Sequence, residues 1–206
     1  NKATTLRPAT DSRGAKTDFR YDARNRLIRR FDANATSFNS VGVDGETPQG
    51  GVTEYTYNLA SELVSVLDTR GGLTQYAYDR LGRLKTLTQP DPDGSLSNQP
   101  LPSPVTHFKY DNAGYLVRRT DPEFVARDGT ISPVTDYDYD TQGNLRFVHE
   151  TAPRTSDDRP VWEYQYDDAG QLVREIDPLA ATTDYEYDGL GQLVTFEPRM
   201  HDRAVA

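Results

Sequence analysis

Among its 206 residues the chain has no cysteine, one methionine and one tryptophan. Without cysteine there is no disulfide framework, no thiolate nucleophile and no zinc–thiolate site, while the redox compartment stays open. Leu, Ile, Val and Phe together supply only 41 residues, close to the limit below which chains fail to build a core. No apolar run approaches the length of a transmembrane helix, so no membrane insertion by this segment is expected. Positive charge is in deficit, with 23 Lys and Arg against 32 Asp and Glu, a net −9. Nucleic-acid backbones and anionic membranes require a basic surface, so neither is an expected partner. Catalytic signatures are missing too. There is no Ser-centred nucleophile motif and no phosphate-binding Gly-Lys-Ser/Thr loop, and "GVDGETPQGG" (42–51) reads as a flexible insertion. His107, His149 and His201 are isolated and lack metal-ligand spacing. The Asp-rich stretches "DPDG" (91–94) and "TSDDR" (155–159) match neither the EF-hand nor the nonapeptide calcium repeat. No catalytic, metal or cofactor residue is assigned, no cofactor is implied, and an enzyme is not expected.

What the chain does have is tyrosine, thirteen of them, and a sentence written seven times. The copies are "FRYDARNRL" (19–27), "YTYNLASEL" (55–63), "YAYDRLGRL" (76–84), "FKYDNAGYL" (108–116), "YDYDTQGNL" (137–145), "YQYDDAGQL" (164–172) and "YEYDGLGQL" (185–193). They align as aromatic-x-Tyr-Asp-x-x-Gly-x-Leu, a self-similarity that makes a repeat architecture the first hypothesis. The second Tyr and the Leu occur in all seven, Asp becomes Asn58 once, and Gly becomes Asn25 and Ser61.

Aromatic-x-Tyr alternation puts both rings on one face of an extended strand. Asp-x-x-Gly is a turn signal: the carboxylate accepts backbone N–H groups of a type I turn, and Gly suits a final position at positive φ, which makes a three-residue hairpin loop with a bulge. The predicted fold is therefore all-β, an array of antiparallel hairpins. The implied register pairs Tyr21 with Leu27, Tyr57 with Leu63, Tyr78 with Leu84, Tyr110 with Leu116, Tyr139 with Leu145, Tyr166 with Leu172 and Tyr187 with Leu193. The turn residues are Asp22, Asp79 with Gly82, Asp111 with Gly114, Asp140 with Gly143, Asp167 with Gly170, and Asp188 with Gly191. Each aromatic–aliphatic pair stabilises by roughly 0.2–1 kcal/mol, giving a structural stripe. Asn25 tolerates the left-handed region and Ser61 less so, so the second hairpin is expected to be the most irregular.

Tyr-to-Tyr spacings of 36, 21, 32, 29, 27 and 21 define a bare unit of 21 residues. Return strands end near "TQP" (88–90), "TDP" (120–122) and "IDP" (176–178), where Pro stops a central strand. Insertions rich in Gly, Pro, Ser and Asp follow, at 34–51, 91–105, 122–134 and 153–161, as surface loops. Simple alternation places Leu172, Arg174 and Ile176 on one side and Val173 and Glu175 on the other, poor material for a sandwich core and better suited to a curved wall. Trp162 is expected at a strand entrance, and Asn34-Ala35-Thr36 is a glycosylation sequon relevant only in a eukaryotic secretory setting.

Across roughly 17–198 the sequence resembles the Rhs, or YD-repeat, family, named for pairs such as Tyr21-Asp22, Tyr78-Asp79, Tyr110-Asp111, Tyr139-Asp140, Tyr166-Asp167 and Tyr187-Asp188. Members include bacterial polymorphic toxins, shell components of insecticidal toxin complexes, wall-associated bacterial proteins and the animal teneurins. The resemblance implies a β-ribbon spiralling into part of a hollow shell, which in the toxins encloses a C-terminal toxic domain until delivery. It implies partners in the remaining repeats and enclosed C-terminal domain of the same polypeptide, and a product secreted or delivered by a bacterial secretion system. The family's self-cleaving closing domain has no counterpart here, so its acidic residues are not carried over.

The expected organisation is an N-terminal lead-in (1–16), seven hairpin repeats (17–198) and a tail (199–206) continuing into further chain. The leading expectation is a structural segment of an Rhs-type toxin shell. The alternative is a cell-surface binding module for glycans or a partner protein, which needs tyrosine faces open to solvent. No capping unit is evident at either end, so an isolated segment is expected to aggregate, pair edge to edge, or depend on neighbouring chain for its order.

Overall fold

The structure is a computed structural model that describes residues 5–6, 9–10, 16–32, 51–92, 102–126, 129–152 and 158–199. The sequon at Asn34, His201 and most of the insertions at 34–51 and 91–105 lie outside the described residues. Every described element is a β-strand, and there is no described helix. The chain divides into two compact units, 1–105 and 106–206.

In the first unit β1 (Thr5–Leu6), β2 (Ala9–Thr10), β3 (Lys16–Tyr21), β4 (Leu27–Phe31), β5 (Val52–Tyr57), β6 (Leu63–Leu67), β7 (Leu73–Tyr78) and β8 (Leu84–Thr88) follow the chain. From β3 onward each strand pairs antiparallel with the next, and β1 and β2 both lie along β3. This corrects the expectation of an uncapped N-terminus, because the lead-in doubles back and takes up backbone groups along β3 that would otherwise be an open edge.

The second unit begins inside β9 (Val105–Tyr110) and continues through β10 (Leu116–Thr120), β11 (Phe124–Ala126), β12 (Gly129–Ile131), β13 (Val134–Tyr139), β14 (Leu145–His149), β15 (Val161–Tyr166), β16 (Leu172–Ile176), β17 (Thr182–Tyr187) and β18 (Leu193–Arg199). The sheet order is β9-β10-β13-β14-β15-β16-β17-β18, all antiparallel. β11 and β12 form a separate two-stranded ribbon, so the insertion at 122–134 is not all loop.

All seven hairpins share one construction. In the sixth, the Asp167 N–H donates to the Gln171 carbonyl at 3.0 Å and the Gly170 N–H donates to the Asp167 carbonyl at 3.0 Å. Gly170 sits at φ 79°, in the left-handed region that favours glycine. The second hairpin is no exception: Ser61 adopts φ 67° and makes the same bonds at 3.1 and 3.0 Å, so the expected irregularity is absent. Its Oγ, held by Arg26 at 3.2 Å, offsets part of the cost of that backbone geometry.

The opposite ends of the hairpins explain the 21-residue unit. Asp68 opens a second turn of the same kind, with its N–H on the Gly72 carbonyl at 2.9 Å and its Oδ1 accepting from Arg70 and Gly72. Asp177 does likewise, with Pro178 at the second turn position and Ala180 at φ 64°. A six-residue strand, a five-residue turn, a five-residue strand and another five-residue turn complete the repeat. Where insertions occur, the closing bond survives: Asp32 to Gly51, Gln89 to Pro104, Asp121 to Pro133 and Glu150 to Pro160, each at 2.8–2.9 Å. An insertion therefore lengthens the loop without disturbing the ladder.

Each hairpin also carries a register shift beside its motif Tyr. Tyr166 lies opposite Leu172, but Gln165 lies opposite Arg174 and Tyr164 opposite Glu175. One extra residue reverses the alternation downstream. Leu172 and Glu175 therefore share the tyrosine face, whereas Arg174 and Ile176 lie on the other. This corrects the simple alternation, and it leaves one aromatic face and one charge-bearing face. Neither face builds a dry core: Phe31, at 5 % exposure, is the one buried hydrophobic residue described, with the Arg20 guanidinium 5.2 Å from its ring centroid. Each unit is stabilised by ladders, turns and half-buried rings.

Candidate functional site

What recurs is a seam between consecutive hairpins, and its parts begin at the turns. Oδ1 of Asp22 accepts from the Arg24 and Arg26 N–H groups, and the Arg26 side chain closes on Oδ2 at 2.7 Å. Asp79 repeats this with Leu81 and Arg83, and Asp140 with Gln142 and Asn144. Asp167 and Asp188 each accept two turn N–H groups, and Asp111 accepts from Gly114 and Tyr115. The second hairpin exchanges the roles, with Asn58 Nδ2 donating to Glu62 Oε2 at 2.6 Å. The Arg26 backbone N–H, then its guanidinium, holds the Asp22 carboxyl below the ordinary carboxylate range, and the Asn144 amide does so for Asp140.

In four hairpins the second tyrosine spends its hydroxyl on the hairpin before it. Tyr57 donates to the Leu27 carbonyl at 2.9 Å, Tyr78 to Leu63 at 2.8 Å, Tyr139 to Leu116 at 3.0 Å and Tyr187 to Leu172 at 2.9 Å. The reason lies in the ladders. Pairing between β6 and β7 stops at Ser65 opposite Gln75, so the Leu63 carbonyl lies past the last paired residue. The other three seams stop at the equivalent place, at Arg29, Arg118 and Arg174. Phenylalanine would fill the space and leave that carbonyl without its donor. Burial pushes the Tyr57, Tyr78 and Tyr139 hydroxyls up, which keeps them protonated as donors. Burial, then nearby Asp140, also pushes the Tyr166 hydroxyl up. Tyr21 and Tyr110 pair with Leu27 and Leu116 within their own hairpins, Tyr78 with Leu84, and Tyr139 with Leu145.

A third seam contact was not read from the sequence. The residue before the motif Leu reaches over the left-handed turn residue of the next hairpin: Arg26 over Ser61, Glu62 over Gly82, Tyr115 over Gly143, and Gln171 over Gly191. A methyl group added at Gly143 would collide with the Tyr115 hydroxyl. The Tyr115 ring also stacks on Tyr139, with centroids 4.8 Å apart. The signal was available, since that column always carries a long or polar side chain, but its variability hid it.

The charge-bearing face carries ion pairs across seams: Arg29 with Glu54, Arg118 with Asp136, and Arg174 with Asp184. Arg159 joins Asp136 at 2.6 Å and also donates to the Val134, His149 and Glu150 carbonyls, clamping two strand ends. The Arg118 guanidinium, then Arg159, holds the Asp136 carboxyl low, so it stays ionised. His149 pairs with Asp138 at 2.9 Å, beside an open cleft of about 440 Å³ lined in part by Lys109, Arg118 and Arg159. His107 sits in β9 opposite Thr120, and Trp162 is second in β15, opposite Val148. Among the described residues no three His, Asp or Glu side chains converge as a metal site. The carboxylates brought together here serve turns and ion pairs.

Each unit is a sheet of tandem hairpins latched by tyrosine hydroxyls and, among the described residues, without a thick core. The Teneurin YD-shell family model matches residues 44–157 and the RHS Repeat model residues 160–195, and the chain belongs to the Rhs/YD-repeat family. Among solved structures, TcdB2-TccC3 superposes with a TM-score of 0.54 at 16 % identity, over 95 % of this chain and 11 % of that one. The same pair without its hypervariable C-terminal region gives 0.50 at 17 % identity, over 89 % and 11 %. These likenesses show the fold, and the chain spans about a tenth of the length of those structures. No curated relative matches.

Proposed function

We propose that this chain is a wall segment of an Rhs-type toxin that encloses and shields a C-terminal toxic domain until delivery. The observation that carries the reading is the tyrosine hydroxyl on the preceding hairpin's Leu carbonyl, repeated at four seams. It spends these tyrosines on tying strands laterally, as a barrier requires. On this reading residues 17–198 act as a structural element, the Asp turns and Tyr/Leu pairs stiffen it, and the mechanism is confinement. The family match to a shell model supports a shell role. The hypervariable C-terminal region named for one structural neighbour supports a cargo beyond the repeats, and hence a secreted or delivered protein.

Limited proteolysis of the parent polypeptide tests this. The downstream domain should resist cleavage in the wild type and become cleavable when Tyr57, Tyr78 and Tyr187 are all changed to Phe. Equal cleavage of both would overturn the confinement reading. Saturable glycan binding without contact to the downstream domain would replace it with the cell-surface alternative.

A further inference from the structure

The seam between β14 and β15 is built differently from its neighbours. Inside the two units, the seams of Tyr57, Tyr78, Tyr139 and Tyr187 each carry a hydroxyl latch, and each has a side chain laid over the next turn. Tyr166 holds the equivalent place in β15, and the β14–β15 ladder likewise ends before the motif Leu, at Phe147 opposite Glu163. Yet among the described residues the Tyr166 hydroxyl makes no hydrogen bond. A cleft of about 370 Å³ opens beside it instead, lined in part by Asp140, Arg146, Tyr166 and Asp167.

Two more cross-seam contacts give way here, and both trace to the residue type. The cover position is held by Asn144, the shortest side chain in that column. Its amide turns back to Asp140 Oδ2 at 3.0 Å, and a methyl group added at Gly170 would lie 3.7 Å from Asn144 Oδ1, an ordinary contact, against 2.9 Å from Gln171 at Gly191. The rung that joins Arg118 to Asp136 at the seam before, and Arg174 to Asp184 at the seam after, places Phe147 opposite Glu163. Glu163 thus meets no cation across its rung, and it accepts from Gln165 of its own strand at 3.0 Å. The other end of the same seam is held firmly. There the Glu150 N–H donates to the Pro160 carbonyl at 2.9 Å, and Arg159 binds the His149 and Glu150 carbonyls together with Asp136.

We propose that the second unit parts along the β14–β15 seam, opening from the turn end at Asp140 and Asp167 and hinging on the Arg159 clamp, while the seams on either side stay shut. A ladder opens first where its lateral contacts are fewest, and such an opening leaves both flanking hairpins intact. The inference concerns the sheet itself and holds whether or not the wall encloses a chain.

Amide hydrogen exchange of the intact protein tests this. Protection at the Phe147–Glu163 rung should be at least about fivefold lower than at the Arg118–Asp136 and Arg174–Asp184 rungs, the order expected for one missing hydrogen bond. Tyr166→Phe should leave that protection unchanged, whereas Tyr139→Phe and Tyr187→Phe should each lower it about fivefold at their own seams. Phe147→Arg, which supplies Glu163 with the partner found at the flanking rungs, should raise protection toward theirs. Equal protection at the three rungs, a fivefold loss from Tyr166→Phe, or no gain from Phe147→Arg would each overturn the proposal.

Discussion

Changing Tyr78 to Phe removes one atom and tests the seam directly. The ring keeps its packing, but the 2.8 Å bond to the Leu63 carbonyl is lost at a place where the β6–β7 ladder has already ended. A hydrogen bond of this kind contributes about 1 kcal/mol net, and leaving the carbonyl half-buried without a donor adds to the loss. Tyr57 and Tyr78 occupy successive seams of the first unit, and if their effects add, the double Phe variant should lose about 2 kcal/mol. Against a domain stability of about 5–15 kcal/mol this is a large fraction, and in urea it corresponds to a midpoint shift of about 1 M. Tyr76→Phe is the internal control, since the first aromatic position already accepts Phe19 and Phe108. It should stay within about 0.5 kcal/mol of wild type. If Tyr78→Phe and Tyr76→Phe had indistinguishable denaturation midpoints, the hydroxyl would not be the latch.

Gly143→Ala should cost more than Gly71→Ala. Both sit at positive φ, 90° and 86°, but the added methyl meets the Tyr115 hydroxyl at the first and open space at the second. The conformational cost of about 1 kcal/mol is common to both, so equal thermal midpoints would refute the cover contact. Stability should fall in acid. Asp22, Asp136, Asp140 and Asp184 have carboxyls held below their ordinary value, by the Arg26 backbone, Arg118, Asn144 and Arg174 respectively. Their contribution is full above the unfolded value of about 4 and is lost as pH drops through the lower folded values. A thermal midpoint that rose between pH 5 and pH 2 would contradict this. Arg159→Ala should loosen the ends of β13 and β14 and leave Asp136 to Arg118 alone, so exchange at amides near Val134 and His149 should quicken while the β17–β18 hairpin is unchanged.

The sequence by itself determined what is local. Asp-x-x-Gly, or Asn25 and Ser61 in place of Gly, encodes a five-residue turn through bonds between neighbours in the chain, so seven hairpins and the Tyr-opposite-Leu register could be read directly from the seven copies. Even the second turn of the repeat was written at Asp68 and Asp177, although "IDP" read only as a place where a strand stops. What lies between repeats was decided by tertiary structure. The extra residue beside each motif tyrosine slips the alternation by one, which moved Glu175 onto the aromatic face and Arg174 off it. Ladder pairing ends before the motif leucines, and only that gap explains why the second aromatic must carry a hydroxyl while the first need not. The lead-in strands along β3 and the side chains laid over the next turn likewise depend on which strands become neighbours in space. A turn is specified by the few residues it contains, whereas a tyrosine latch across a seam joins residues 15 to 30 apart in the chain.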